Sequence, residues 1–227
     1  MNGWIRDWTS LWDLIERRAA ATPEARFAVD EDGRSLTFAE YRDAALRAAA
    51  GFAALGVGEG DVVSWQLPTW LEAMVLVGAL SRLGAVQNPI LPIYRDREVG
   101  FVVRQAGSKV LVVTSEWRGF DYAGMARGIA ADNPGTEVVV VERGTLPEGD
   151  PATLGPVPAG AAGPFTPGVR TDAPLRWLFY TSGTTADPKG ARHTDFTVGH
   201  SGYAMVDADR KSTRLNSSHS SVSRMPS

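Results

Sequence analysis

The sequence predicts an α/β fold: a mostly parallel sheet with helices on both of its faces. Two observations carry that expectation. From residue 11 to residue 142, helical stretches alternate with short Val-rich runs such as "DVVSWQL", "KVLVVT" and "EVVVVE". The helical stretches also carry their own start and stop signals, so the alternation is punctuated and not accidental. A strand–helix–strand rhythm of this kind places strands side by side in parallel, because only a crossover of helical length connects them.

The elements follow in order. A first helix is expected from Leu11 to about Ala20, capped by Thr9 or Ser10 and closed by Pro23. An extended piece near Arg26–Val29 precedes "TFAEYRDAALRAAAGFAALG", in which Thr37 and Glu40 form a capping box and Gly56 supplies the stop. "DVVSWQL" reads as a buried strand. A second capping box, Thr69 with Glu72, is expected to open a helix from Trp70 to Leu83 that ends at Gly84. A strand at Ala85–Asn88, a helix around Arg97–Gln105, the strand "KVLVVT", a weaker helix near Tyr122–Ala131 and the strand "EVVVVE" complete the series. The organisation expected is therefore an αβ repeat region over 1–142, a Pro/Gly-rich loop or linker over 143–174, and a strand, a loop and the start of a helix over 175–209. The stretch 143–174 holds seven of the fourteen prolines and no hydrophobic period; it fits a mobile linker at a domain boundary or a long excursion within one domain. Residues 210–227, "RKSTRLNSSHSSVSRMPS", read as a non-native or disordered tail.

Composition excludes several classes. The net charge of −3 offers no basic surface for nucleic acid. The absence of cysteine excludes disulfides, thiolate metal sites and a Cys nucleophile. The longest apolar stretch, "WLEAMVLVGAL", is too short to span a bilayer, and the charged N-terminus does not read as a signal peptide, so a cytoplasmic location is expected. No cluster of residues suggests a metal site.

The stretch with the most chemistry is "YTSGTTADPKG", Tyr180–Gly190, which follows the apolar run "LRWLF". A loop leaving the carboxyl end of a parallel strand sits where open α/β sheets place their ligands. Glycines let backbone N–H groups approach an anion, and hydroxyls with a lysine complete a cradle suited to a polyphosphate. A solvent-exposed turn of small polar residues is the plainer alternative. Lysine is scarce here, three residues among 23 basic ones, which sets Lys189 apart from the arginines used elsewhere. The order Lys189–Gly190–Ala191 is not that of a Walker A loop. "GVGEGD", Gly56–Asp61, follows a helix and precedes a strand, the reverse of a dinucleotide fingerprint, and reads as a helix stop plus turn.

"YTSGTTADPKG" closely resembles the phosphate-binding loop of the acyl-adenylate-forming superfamily, which includes acyl-CoA synthetases, peptide-synthetase adenylation domains and firefly-type luciferases. The upstream segments "LTFAEYRDAALRAAAGFAALGVGEGDVVSWQLPTW" and "GALSRLGAVQNPILPIYRDREVGFVVRQAGSKVLVV" are similar to the opening αβ repeats of that family's large N-terminal domain. The resemblance runs over nearly all of residues 10–205, and "LPTW" and "NPILPIYRDREV" look most like bacterial acyl-CoA ligases. It implies an AMP-forming acid–thiol ligase that activates a small-molecule carboxylic acid with ATP and Mg²⁺ and passes it to coenzyme A. It assigns phosphate binding to Thr181, Ser182, Gly183, Thr184, Thr185, Lys189 and Gly190. His193 is expected either to line the acyl or nucleotide pocket or to sit at a helix start with an exposed ring. Ala186 stands where the family commonly has glycine; if that position needs positive φ, the exchange costs roughly 1 kcal/mol. The family's adenine-, ribose- and magnesium-binding motifs and its catalytic lysine lie downstream of these residues in relatives. The resemblance therefore implies no catalytic residue here and a chain inactive by itself; a non-catalytic nucleotide-binding or interaction module is the alternative.

Overall fold

The computed structural model of the chain describes residues 7–161, 173–181 and 188–220. Helix α1 (Leu11–Ala21) starts on Ser10, whose hydroxyl accepts from the Asp13 N–H at 3.1 Å. Strands β1 (Arg26–Val29) and β2 (Ser35–Thr37) form an antiparallel hairpin, of which the sequence showed only the first half. Helix α2 (Phe38–Ala54) opens on the expected capping box: Thr37 Oγ1 accepts from the Glu40 N–H and the Glu40 carboxylate accepts from the Thr37 N–H. Strand β3 (Val62–Gln66), helix α3 (Leu71–Leu83), strand β4 (Val86–Pro89), helix α4 (Asp96–Ala106) and strand β5 (Val110–Val113) follow. A two-residue hairpin, β6 (Glu116–Trp117) with β7 (Phe120–Asp121), leads into α5 (Tyr122–Ala131) and β8 (Glu137–Val140). The chain then forms β9 (Trp177–Thr181), β10 (Lys189–His193) and α6 (Asp195–Ser220).

The main sheet has the order β10-β9-β4-β3-β5-β8, parallel throughout except where β10 runs antiparallel to β9. Side-chain alternation along β5 divides the core. Val110 and Val112 face α1, α2 and α3, whereas Leu111 and Val113 face α4 and α5, and all four are fully buried. Helices thus cover both faces, as the sequence predicts. The alanines of α2 serve more than helix propensity: Ala45, Ala48 and Ala49 are buried and let α3 approach closely. A Cβ at Gly78 of α3 would lie 2.8 Å from the Ala45 methyl and 2.9 Å from the Tyr41 hydroxyl, so no larger residue fits that crossing.

Two expectations need correction. Thr69 and Glu72 do not form a capping box; α3 starts one residue later on Trp70 with no side-chain cap. Glu72 is instead turned inward, where it accepts from Arg34 Nη1 and from the Gly144 N–H, both at 2.7 Å. The ion pair of the buried Glu72 carboxylate with the half-exposed Arg34, together with the backbone bond, outcompetes a local cap. The tail is not uniformly irregular either, since the α6 backbone is helical through Ser220. Of the two readings left open for the Pro/Gly-rich stretch, residues 143–161 follow the excursion and not the free linker. They lie as a strap along α2, with the Gly149 N–H donating to Arg47 O at 3.0 Å and Leu146 and Leu154 packed on the core. Arg82 donates to Gly155 O at 2.6 Å, and the Ala161 N–H reaches Thr9 O at 2.9 Å. Proline-rich composition hides such packing because the contacts are made by backbone, not by a periodic apolar face.

The acidic turn Glu31/Asp32 is exposed but held: Arg143 pairs with both carboxylates, and its guanidinium lies over the Trp70 ring. Arg34 bridges Asp30 and Glu72 beside it. "GVGEGD" is a stop and turn, as expected: Gly56 and Gly60 take positive φ, and Asp61 accepts from the Gly58 N–H.

Candidate functional site

The hydroxyl-rich loop turns out to be the tip of a hairpin. Sequence reading places a helix directly after it, but the chain first returns as β10 along β9, with Lys189 opposite Thr181, Gly190 opposite Tyr180 and His193 opposite Trp177. The missed strand, "KGARH", carries no alternation of apolar and polar residues and is exposed over most of its length, so no hydrophobic period marks it.

The hairpin is anchored at its base. Arg176, buried, donates from Nη1 to Gly84 O at 2.6 Å and from Nη2 to Glu59 at 3.0 Å, tying β9 to the end of α3 and to the turn before β3. Its backbone joins the two neighbouring strands: its carbonyl accepts from the Gln87 N–H at 2.8 Å and its N–H donates to His193 O at 3.0 Å. Asp195, in the first turn of α6, is the second anchor. Its carboxylate is buried and accepts from the Trp177 indole N–H and from the Leu11 N–H, both at 2.8 Å. Burial pushes this carboxyl above the usual carboxylate range, against the pull of those donors and of Arg176. Neither residue was singled out from sequence; an acid at a helix start is usually read as a simple dipole partner.

Of the expected phosphate ligands, Thr181, Lys189 and Gly190 fall among the described residues, and the hairpin register brings these three exposed residues together at one end of the ladder. Ser182, Gly183, Thr184, Thr185 and Ala186 lie outside the described residues. Gly190 has a steric reason of its own. A Cβ there would come within 2.9 Å of the Tyr180 ring, so only glycine lets the ring lie over its cross-strand neighbour. Partial burial pushes the Tyr180 phenol up.

His193 is not at the loop. It ends β10 at the base of the hairpin, four residues from Lys189, or roughly 13 Å at ~3.3 Å per strand residue. Its ring is half-buried, edge-on to Phe179 at 5.4 Å, with Nδ1 3.2 Å from Thr197 Oγ1. Thr194 and Thr197 exchange hydroxyl–backbone bonds that start α6. His193 therefore belongs with the anchoring layer, and the arrangement does not bring it together with Lys189.

Among the described residues there is no group of three His, Asp or Glu side chains placed to hold a metal ion. No described helix is long and apolar enough to cross a membrane.

Comparison with known proteins gives this geometry a lineage. Residues 15–226 match the family model of the AMP-binding enzymes. The chain is 36% identical over 182 residues to a salicyl-AMP ligase / salicyl-S-ArCP synthetase of Mycobacterium tuberculosis, covering 78% of this chain and 32% of that protein. It is 27% identical over 185 residues to a medium-chain fatty-acid–CoA ligase of Escherichia coli, covering 82% and 33%. A solved fatty acyl CoA synthetase of Mycobacterium tuberculosis superposes with a TM-score of 0.63 at 26% identity, over 82% of this chain and 35% of that one. The chain thus spans about a third of the length of the relatives it matches.

Proposed function

Because this chain belongs to the AMP-binding enzyme family, we propose that it is the triphosphate-holding part of an AMP-forming acid–thiol ligase. The observation that carries the reading is the hairpin register, in which Lys189 and Gly190 stand across the ladder from Thr181 and Tyr180 at the ends of a Ser/Thr/Gly loop. In this reading Thr181, Ser182, Gly183, Thr184, Thr185, Lys189 and Gly190 hold the phosphates of ATP. The substrate class is a carboxylic acid; relatives named for salicyl-AMP and for medium-chain fatty-acid–CoA ligation support both aryl and alkyl acids.

The chemistry asked of these residues is charge stabilisation. A carboxylate oxygen attacks the α-phosphorus, the bond to the β-phosphate oxygen breaks, and the electron pair leaves with pyrophosphate. The leaving group gains negative charge, and an ammonium, hydroxyls and backbone N–H groups already aimed at it lower the barrier without reorganising. In the second half-reaction the thiol sulfur of coenzyme A attacks the acyl carbon, AMP departs and the thiol proton goes to solvent. Mg²⁺ would add charge neutralisation at the phosphates, but the described residues supply no ligand set for it, so no step here is routed through it. No residue of this chain is assigned a catalytic role, and the 227 residues alone are proposed to bind ATP without turning it over, in the cytoplasm.

Calorimetric titration of the chain with ATP, pyrophosphate and adenosine tests the reading. Saturable heats with ATP and pyrophosphate, and none with adenosine, are expected; equal binding of adenosine and ATP would contradict it.

A further inference from the structure

Asp195 is 8% exposed, and each of its carboxylate oxygens is committed to a different element. Oδ2 accepts from the Leu11 N–H at 2.8 Å, and Oδ1 accepts from the Trp177 indole N–H at the same distance. Leu11 is the first residue of α1, so its N–H has no partner within its own helix. Ser10 caps α1 through the Asp13 N–H and leaves the Leu11 N–H to an acceptor 184 positions away. Asp195 itself opens α6. One carboxylate thereby joins α1, β9 and α6, and it lies at the partly positive N-terminal ends of two helices.

The joint is reinforced on the α1 side. Trp8 stacks on Phe196 with ring centroids 5.1 Å apart, and its indole N–H donates to the Tyr203 hydroxyl at 2.9 Å. Residues 8–11 therefore hold the first turns of α6. On the sheet side the joint meets the base of both hairpin strands. Trp177 starts β9 and stands opposite His193, the last residue of β10, two residues before Asp195. The Arg176 N–H closes that base by donating to His193 O at 3.0 Å. From there the register runs without a slip, through Leu178–Arg192, Phe179–Ala191 and Tyr180–Gly190, to Thr181 opposite Lys189. A bulge would absorb a shift made at the base. This ladder has none, so a displacement of Trp177 is carried to the ends of the loop.

We propose that Asp195 is a positioning residue for the phosphate loop: it transmits the placement of α1 to the hairpin, so residues 8–11 take part in setting where Lys189 and Thr181 stand. The proposal deepens, and rests on, the reading of this hairpin as a phosphate cradle. Asp195 touches no phosphate in this account and acts through Trp177. Without the carboxylate the buried indole N–H is left unpaired. Such a group is costly to leave unsatisfied, and the relief open to it is movement of Trp177 and, with it, the base of β9.

The test measures two things in the full chain: pyrophosphate affinity by ³¹P NMR, and amide hydrogen exchange in β9 and β10 relative to β3 and β5. Asp195→Ala should weaken pyrophosphate by about tenfold in protein that circular dichroism shows to be folded. Asp195→Asn keeps an acceptor for one donor only and should fall between Asp195→Ala and the wild type. Trp177→Phe breaks the same link from the strand side, so it serves equally if the alanine variant does not fold. It should cost a similar factor, and the double variant should bind no more weakly than Asp195→Ala alone. Exchange in β9 and β10 should quicken in each. Leu76→Ala, a fully buried change in α3, should lower the melting temperature and leave pyrophosphate affinity unchanged. Affinity unaltered in both Asp195→Ala and Trp177→Phe, additive losses in the double variant, or an equal loss in Leu76→Ala would overturn the proposal. If the wild-type chain binds no pyrophosphate, the phosphate reading fails. Exchange then decides on Asp195 alone: quickened in β9 and β10 if it positions the hairpin, unchanged if it does not.

Discussion

Lys189 and Thr181 are directly opposed in the antiparallel ladder of β9 and β10, so the two ends of the hydroxyl-rich loop are held at one strand spacing. The next pair inward, Gly190 with Tyr180, keeps them there, because the Tyr180 ring occupies the space a side chain on residue 190 would need. Gly190→Val is expected to displace that ring and open the ladder. The cost should be about 1–3 kcal/mol of stability, read by urea denaturation, with ATP affinity reduced in the same protein. An unchanged ATP affinity would separate the ladder from the site.

Asp195 should matter through both its bonds and its charge. Asp195→Ala leaves the Leu11 N–H and the buried Trp177 indole N–H without their acceptor, at a cost of about 1–3 kcal/mol each. The charge gives a pH signature. The folded-state pKa is raised by burial, so the native state holds its proton where the unfolded state has lost it, and stability falls as pH rises from the ordinary aspartate range through the folded pKa. Asp195→Asn should remove that slope. Denaturation midpoints across this window, compared between the two proteins, read it directly.

Glu72 carries the opposite sign. Burial pushes its carboxyl up, but the Arg34 guanidinium and the Gly144 N–H outweigh it and hold the pKa below the usual range. Its contribution is present above the unfolded pKa and is lost as pH falls through the folded one. Glu72→Gln should flatten the acid limb of the stability curve, and Glu72→Ala should cost about 1–3 kcal/mol at neutral pH. Because Glu72 joins the β1–β2 turn to the start of the strap, protease cleavage within 143–161 should accelerate in the same variants.

The α2–α3 crossing has no room for growth. Gly78→Val is expected to push the helices apart and cost at least as much as the cavity left by Leu76→Ala, which from a fully buried site is about 2–5 kcal/mol. Thermal unfolding of the two variants checks both; a Gly78→Val protein as stable as the wild type would show that the crossing has room for a larger residue.

What was legible in the sequence depended on which physical effect carried the signal. The parallel sheet was readable because β3, β5 and β8 are short valine-rich runs separated by capped helices. The Thr37/Glu40 box is local and formed as written. The Thr69/Glu72 box has the same spelling, yet Arg34 lies 38 residues away and captures the glutamate; no local pattern reports such a partner. For 143–161 the sequence left a linker and an excursion within one domain both open, because the strap's backbone bonds from Gly149 and Ala161 and the isolated contacts of Leu146 and Leu154 make no periodic pattern. At the site, the loop was found by its composition and its family resemblance. β10 was not, since an exposed edge strand has no apolar period, and with it went the true positions of His193 and Asp195 at the hairpin base.

The account rests on the hairpin loop gripping phosphates, and ³¹P NMR of ATP titrated with the chain tests that most directly. Shifts or broadening of the β and γ resonances are expected to saturate with protein, and to be reduced by about one to two orders of magnitude in affinity in Lys189→Met, where one charge-assisted contact to the phosphates is gone. Phosphorus lines unmoved by the protein, or moved equally by the Lys189→Met variant, would contradict the assignment of this loop as a phosphate cradle.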